Sequence, residues 1–297
     1  MEDFKKACRN GDVKVVNRLI NESRIDPSAE DNFAIRWASE NGHLEVVDRL
    51  LQDSRIDPSA RDNFAIRWAS MNGHLEVVDR LLMDPRVDPS ACDNFAIRWA
   101  SIHGHLGVVD RLLRDSRVDP SADDNYAIRC ASKYGYLEVV DRLLRDSRVD
   151  ASDRDNLPIR LASGNGHLEI VERLLRDSRV DPSADDNYAI RCASEYGYLE
   201  VVNRLLMDPR VDPSAGDNHA IRSASERGHL EVVDRLIKYF HKKQRQMLAD
   251  IGLGLKGMGI PVLVQLEIYR YLENNIPDQA RLPSTAEWNV LKTAHIF

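Results

Sequence analysis

At 297 residues, 43% hydrophobic and 30% charged, the chain has the composition of a folded protein, which excludes disorder as its main state. Its 41 basic and 48 acidic residues give a formal charge of -7, opposite in sign to the footprint of a nucleic-acid binder, so nucleic acid is not an expected partner. The opening Met1-Glu2-Asp3-Phe4-Lys5-Lys6 has no apolar core, the most apolar stretch (Ile251 to Leu266) is too short to cross a bilayer, and four scattered cysteines imply no disulfide framework. An intracellular, cytoplasmic protein without a membrane partner is expected.

In chain order, the first element is a degraded copy of the later units. Ala7, Gly11, Val15, Val16 and Leu19 stand in register with Ala38, Gly42, Val46, Val47 and Leu50. Asp-Asn then recurs at Asp31, Asp62, Asp93, Asp124, Asp155, Asp186 and Asp217, every 31 residues without insertion, so the array holds eight units. Within a unit, Asp31 or Asn32 is placed to cap a helix carrying Ile35 and Ala38, and Gly42 supplies the left-handed residue that ends it. A second helix follows with Leu44, Val47, Leu50 and Leu51 at helical spacing and Glu45, Asp48 and Arg49 on its wet side. Asp57-Pro58-Ser59 turns the chain toward the next unit. Two such short helices cannot bury their apolar faces alone, so stacking on neighbours must supply the core.

Beyond the last repeat, the second helix is predicted to run on through Tyr239, Phe240 and the basic group Lys238, His241, Lys242, Lys243 and Arg245. Gly252, Gly254, Gly257 and Gly259 are predicted to break it. Pro261 can open a helix holding Leu263, Leu266, Ile268, Tyr269 and Leu272, and the box Ser284 to Glu287 a last one with Trp288, Leu291 and His295. The expected organisation is a repeat domain over 1–240, of which 1–30 is a capping repeat, and a helical segment over 241–297 that covers the end of the stack.

Gly42-His43-Leu44-Glu45-Val46-Val47 with Leu50-Leu51 resembles the second-helix signature of the ankyrin repeat. Phe33-Ala34-Ile35-Arg36-x-Ala38-Ser39 occupies the place of that family's Thr-Pro-Leu-His-x-Ala-Ala, and Leu157-Pro158-Ile159-Arg160 keeps its proline. The unit is shorter than the usual length of about 33 residues, and Arg replaces His. The resemblance implies an all-α ankyrin-repeat solenoid of about eight helix-turn-helix units with a small helical C-terminal cap. It also implies a non-catalytic scaffold that binds another protein on its concave face. Asp-Asn-Tyr-Ala-Ile-Arg with Arg-Val-Asp-Pro-Ser-Ala is similar to the ankyrin proteins of giant DNA viruses of amoebae, which would make the partner a host protein and the site of action the host cytoplasm. Ile260-Pro261 with Ile268 and Leu272 resembles the start of an F-box, which implies the alternative of a substrate-recruiting adaptor of a ubiquitin ligase.

Comparing the repeats with one another separates framework from free positions. The pair before each glycine varies most: Glu40-Asn41, Met71-Asn72, Ile102-His103, Lys133-Tyr134, Gly164-Asn165, Glu195-Tyr196 and Glu226-Arg227. The resemblance places these on the partner-gripping groove. The residue before each Asp-Asn also varies (Glu30, Arg61, Cys92, Asp123, Arg154, Asp185, Gly216) and should border that groove on loop tips. The partner-binding candidates are therefore Glu40, Met71, Asn72, Ile102, His103, Lys133, Tyr134, Asn165, Glu195, Tyr196 and Arg227, with Arg61, Asp123 and Arg154 at the tips. Met71, Ile102, Tyr134 and Tyr196 are expected to be exposed anchors.

Trp37, Trp68 and Trp99 read as packing residues of the first helices. The histidines His43, His74, His105, His167 and His229 read as bonded to local backbone rather than to metal. Cys130 and Cys192 read as buried thiols, and the series Arg36, Arg67, Arg98, Arg129, Arg160 and Arg191 as ligands of loop carbonyls or aspartates between units. No nucleophile elbow, phosphate loop, metal motif or catalytic carboxylate pair is present. The expectation is a monomer without cofactor, metal or catalytic activity.

Overall fold

The computed structural model describes residues 1–22 and 25–257, whose regular elements are all helices. They fall into two compact units, Met1–Asp181 and Pro182–Phe297. The first holds α1 (Glu2–Asn10), α2 (Val13–Asn21), α3 (Ala29–Glu40), α4 (Leu44–Leu51), α5 (Ala60–Met71), α6 (Leu75–Leu82), α7 (Ala91–Ile102), α8 (Leu106–Leu112), α9 (Ala122–Tyr134), α10 (Leu137–Leu143), α11 (Asp153–Gly164) and α12 (Leu168–Leu174). The second holds α13 (Ala184–Glu195), α14 (Leu199–Leu205), α15 (Ala215–Glu226) and α16 (Leu230–Gly257). Each odd helix forms a hairpin with the even helix that follows. Within each unit odd helices pack on odd and even on even, giving two helical layers.

The core lies between the layers. Ile35 and Ala38 of α3 and Val46, Val47 and Leu50 of α4 are fully enclosed, as are their counterparts in the later hairpins up to α14. Leu44 and Leu51, expected in the core, are half-buried, and Val46 takes the deeper place. Burying one such side chain is worth about 1.5 to 3 kcal/mol. That is too little for a lone hairpin of 12 and 8 residues to offset about 1 to 2 kcal/mol of backbone entropy per residue. Stability must come from the junctions between hairpins.

The entry to each odd helix differs from the predicted cap. Glu30, Asp31 and Asn32 form a left-handed run with φ of 54°, 55° and 58°, and the same run opens every later odd helix. No side chain of the Asp-Asn pair caps α3. Asp and Asn recur here because a short polar side chain tolerates this conformation, which costs other residues about 1 to 2 kcal/mol each. The asparagine Oδ1 instead accepts the backbone N–H of the aspartate in the following loop: Asn32 from Asp57 at 2.8 Å, Asn63 from Asp88 at 2.7 Å, Asn94 from Asp119 at 2.7 Å. Arg36 ties the run down by donating to the carbonyls of Asp31 (2.9 Å) and Glu30 (3.0 Å). Arg67, Arg98 and Arg129 do the same within their own hairpins. Arg98 also reaches forward to Asp123 Oδ2 at 2.7 Å.

Three further contacts lock neighbouring hairpins. His74 Nε2 donates to the carbonyl of Glu40, the last residue of α3, at 3.0 Å; His105 and His167 bond Met71 and Lys133 in the same way. These bonds join one hairpin to the previous one, so the expected local backbone role is corrected to a junction role. Gly42, φ 74°, is required twice over, since a Cβ there would stand 2.6 Å from the His74 ring. Along the even helices, Arg80, Arg111 and Arg142 bond Asp48, Asp79 and Asp110 at 2.5, 2.6 and 2.6 Å. In the loops Arg86 holds both oxygens of Asp84 and donates to the Ile56 carbonyl at 2.8 Å, and these hydrogen bonds hold the Asp84 carboxyl below its ordinary range. Half-exposed ion pairs are individually weak, so register rather than bulk stability is their main yield.

Lys6 is exposed where interior hairpins carry Trp, and Cys8 is fully buried, its thiol pushed up to about 12 by that burial. Cys192 is buried as expected, whereas Cys130, at the equivalent outward position that Trp takes in earlier hairpins, is half-buried. None of the four cysteines is in a disulfide. α16 does not break at Gly252 or Gly254 but continues to Gly257. A glycine costs a helix about 1 kcal/mol without forbidding it. The helices predicted after Pro261 and Ser284, and the Ile260 to Leu272 segment, lie outside the described residues. No described helix is long and apolar enough to cross a membrane.

Candidate functional site

Positions four residues apart on a helix share one face. On the odd helices, the stripe opposite the buried Ile-Ala-Ser side reads Phe64-Trp68-Asn72 on α5, Phe95-Trp99-His103 on α7, Tyr126-Cys130-Tyr134 on α9 and Leu157-Leu161-Asn165 on α11. In the second unit it reads Tyr188-Cys192-Tyr196 on α13 and His219-Ser223-Arg227 on α15.

The rings of the first unit stack on one another along α5 and α7 and, through Trp68 and Phe95, between them. Phe64 lies on Trp68 (centroids 4.0 Å, planes 8° apart), Trp68 on Phe95 (5.2 Å), Phe95 on Trp99 (5.2 Å) and Trp99 on His103 (6.0 Å). Guanidinium groups extend the stack: Arg36 lies over Phe64 at 5.2 Å and Arg67 over Phe95 at 5.1 Å. The tryptophans do pack, as their spacing predicts. They pack on one another at the surface, however, and remain half-exposed. The result is a preordered aromatic strip whose side chains have little rotamer freedom left to lose on binding.

The variable pairs divide in two. The second members, Asn72, His103, Tyr134, Asn165, Tyr196 and Arg227, are exposed and complete the stripes. The first members do not behave alike: Lys133 is exposed, while Glu40, Met71, Ile102 and Glu195 are half-buried. Of these, Glu40, Met71 and Lys133 also offer their carbonyls to the next hairpin's histidine. Met71 and Ile102 are therefore not the exposed anchors expected of them. Tyr134 and Tyr196 are, at 49% exposure each.

The tip residues Arg61, Asp123 and Arg154 are exposed but engaged. Arg61 donates to Asp31 at 2.8 Å, Asp123 accepts from Arg98, and the Arg154 Nε donates to Asp124 at 2.8 Å. In the second unit Arg227 pairs with Glu195 and lies 5.1 Å from the Tyr196 ring centre. The structure thus brings Asn72, His103, Tyr134 and Asn165 to the same end of adjacent helices and puts Arg61, Asp123 and Arg154 at the other. Tyr196 and Arg227 belong to the second unit's own stripes.

Beside the strip, His105 packs on the His103 ring (6.0 Å), and burial holds its imidazole below the ordinary 6.5. Among the described residues no group of three or more His, Cys, Asp or Glu is placed to hold a metal ion. The Phe and Trp positions were not among the candidates read from sequence. Their signal was available, since the aromatic after each Asp-Asn and the Trp four residues on continue into the variable pair at the same spacing.

The family described as ankyrin repeats (3 copies) matches residues 66–155 and 159–247, and that described as ankyrin repeats (many copies) matches residues 35–82. No curated protein matches the chain. With more than half of its residues inside the matched segments, the chain belongs to the ankyrin-repeat family.

Proposed function

We propose that the odd-helix stripes form the docking face for a partner protein, a protein of the cell in which the chain acts. Ankyrin repeats are protein-interaction modules, and the aromatic strip of α5 and α7 is the observation that carries the choice of face. The stack does not demand these rings, because the same positions hold Tyr-Cys-Tyr on α9 and Leu-Leu-Asn on α11 without changing the fold. Side chains that packing leaves free and that are nonetheless large, aromatic and half-exposed have the character of interface anchors.

Adjacent helices place equivalent side chains roughly 10 Å apart. A partner burying about 800 Å² on this side would cover the three or four stripes from α5 to α11. On this reading the work of the face is binding. Capture from the native cell with the wild-type chain and with a His103→Asp, Tyr134→Asp variant tests the proposal. A partner retained by the wild type should be absent from the variant; equal recovery by both baits would place the interface elsewhere.

A further inference from the structure

The last hairpin ends on a face that the described residues leave open. In the first unit Gly11, Gly42, Gly73, Gly104 and Gly135, which end odd helices, lie under a ring from the next hairpin. A Cβ at Gly42 would stand 2.6 Å from His74, and one at Gly104 would stand 2.5 Å from Tyr136. In the second unit His229 covers Gly197 in the same way. Gly228 has the same left-handed conformation, φ 76°, yet nothing among the described residues comes within 4 Å of the Cβ site. Leu230 is 70% exposed where Leu199 is half-buried, and Ile221 and Val233 retain accessible area that Ile190 and Val202 lack. Gly228 and Leu230 therefore make an uncovered patch, beside which Ile221 and Val233 stay buried but are covered less completely than their counterparts, as at an unfilled junction.

We propose that residues 258–297 of this chain dock on that patch, with one of their rings on Gly228 as His229 lies on Gly197. The junction asks for apolar side chains against Leu230 and Ile221, and for a ring with an N–H or O–H able to donate to the Glu226 carbonyl. The segment supplies both, with Leu263, Leu266, Tyr269, Tyr271 and Trp288. It can also reach. The 28 residues of α16 are about 42 Å long at 1.5 Å per residue. An extended return at about 3.3 Å per residue takes about 13 residues, leaving most of the segment free to make contact. Tethering gives it an effective concentration on the order of millimolar, which a free partner or a second copy of the chain would have to exceed.

The test uses the full chain with a benzoylphenylalanine photo-crosslinker in place of Leu230, mixed with isotopically heavy wild-type chain. The proposal expects crosslinked peptides joining position 230 to residues 258–297 of the same molecule, and no such product from the probe at Met83, which is 73% exposed. Crosslinks to the heavy copy, or none to 258–297, would overturn it. A second measurement stands apart from the probe. Leu230→Asp should speed tryptic cleavage after Arg270 and Arg281 by more than about tenfold, while Leu106→Asp, an interior counterpart, should leave that rate alone. An unchanged rate in Leu230→Asp, or equal acceleration in both variants, would also overturn the assignment.

Discussion

Two glycines three residues apart should respond to the same substitution with opposite signs. At Gly104 an alanine must adopt φ 72°, which costs about 1 kcal/mol or more. Its Cβ would also lie 2.5 Å from Cδ1 and 2.6 Å from Cε1 of Tyr136, so the ring that covers this junction must move. Displacing a packed side chain costs about 1 to 3 kcal/mol, and the expected loss is about 2 to 4 kcal/mol in all. Gly107 sits inside α8 on its exposed side. Alanine there gains about 1 kcal/mol of helix propensity, reduced by one contact at 3.2 Å with Leu75 Cδ2, the end of a side chain with room to give. Urea unfolding followed by far-ultraviolet circular dichroism reads both. The midpoint is the quantity to compare, because a repeat stack need not unfold in one step. It should fall for Gly104→Ala and hold or rise for Gly107→Ala. Equal losses would refute the junction geometry.

Asn94→Ala should cost about 1 to 3 kcal/mol, since it strands the Asp119 N–H and puts alanine in a left-handed position, whereas Asn94→Asp keeps an acceptor and should cost less; equal midpoints for the two would count against the asparagine bridge. Cys92→Gly should stabilise the stack by up to about 1 kcal/mol and so raise the midpoint, because Cys92 holds φ 54° at the position where Gly216 stands in a later repeat; a lower midpoint would remove the strain argument. For His105 the folded state favours the neutral ring, so its contribution is present above the unfolded value near 6.5 and lost as pH falls toward the depressed folded one. His105→Tyr, the residue found at Tyr136 and Tyr198, should therefore gain on the wild type as pH drops from about 7 to 5. A melting-temperature difference that does not change over that range would contradict it. The loop aspartates do not confuse this window, because arginine hydrogen bonds lower Asp84, Asp115, Asp146 and Asp177, whose contribution is lost only below their ordinary 3.8.

The hairpins were legible because burial imposes the same periodic demand in every unit: Ile35, Ala38, Val47 and Leu50 repeat without interruption, and Gly42 marks each turn. The entry to the odd helices was not. Asp-Asn before a helical run reads as a cap, and a left-handed run uses the same two residues for a different reason, their tolerance of positive φ. The bonds that stabilise the run come from Arg36 and from Asp57, the latter 25 residues away, which no local pattern reveals. His43 and its counterparts were misplaced for a similar cause, since their acceptor lies 34 residues back in the preceding hairpin. The candidate face was half legible. Variation between repeats located its outer end at His103 and Tyr134 but not the strip of Phe64, Trp68, Phe95 and Trp99, whose regular spacing looked like core. Met71 and Ile102 were misjudged because exposure of a helix-terminal side chain depends on what the next hairpin lays over it.

The claim that the stripes bind a partner rests most directly on separating affinity from stability. His103→Ala with Tyr134→Ala removes two exposed side chains, and surface changes of this kind alter stability by less than about 0.5 kcal/mol. Titration calorimetry with a partner captured from the native cell should show binding weakened by more than about tenfold, a loss of 1.4 kcal/mol, with the melting temperature nearly unchanged. Unchanged affinity in that variant, or a melting temperature that falls along with it, would contradict the assignment of this face.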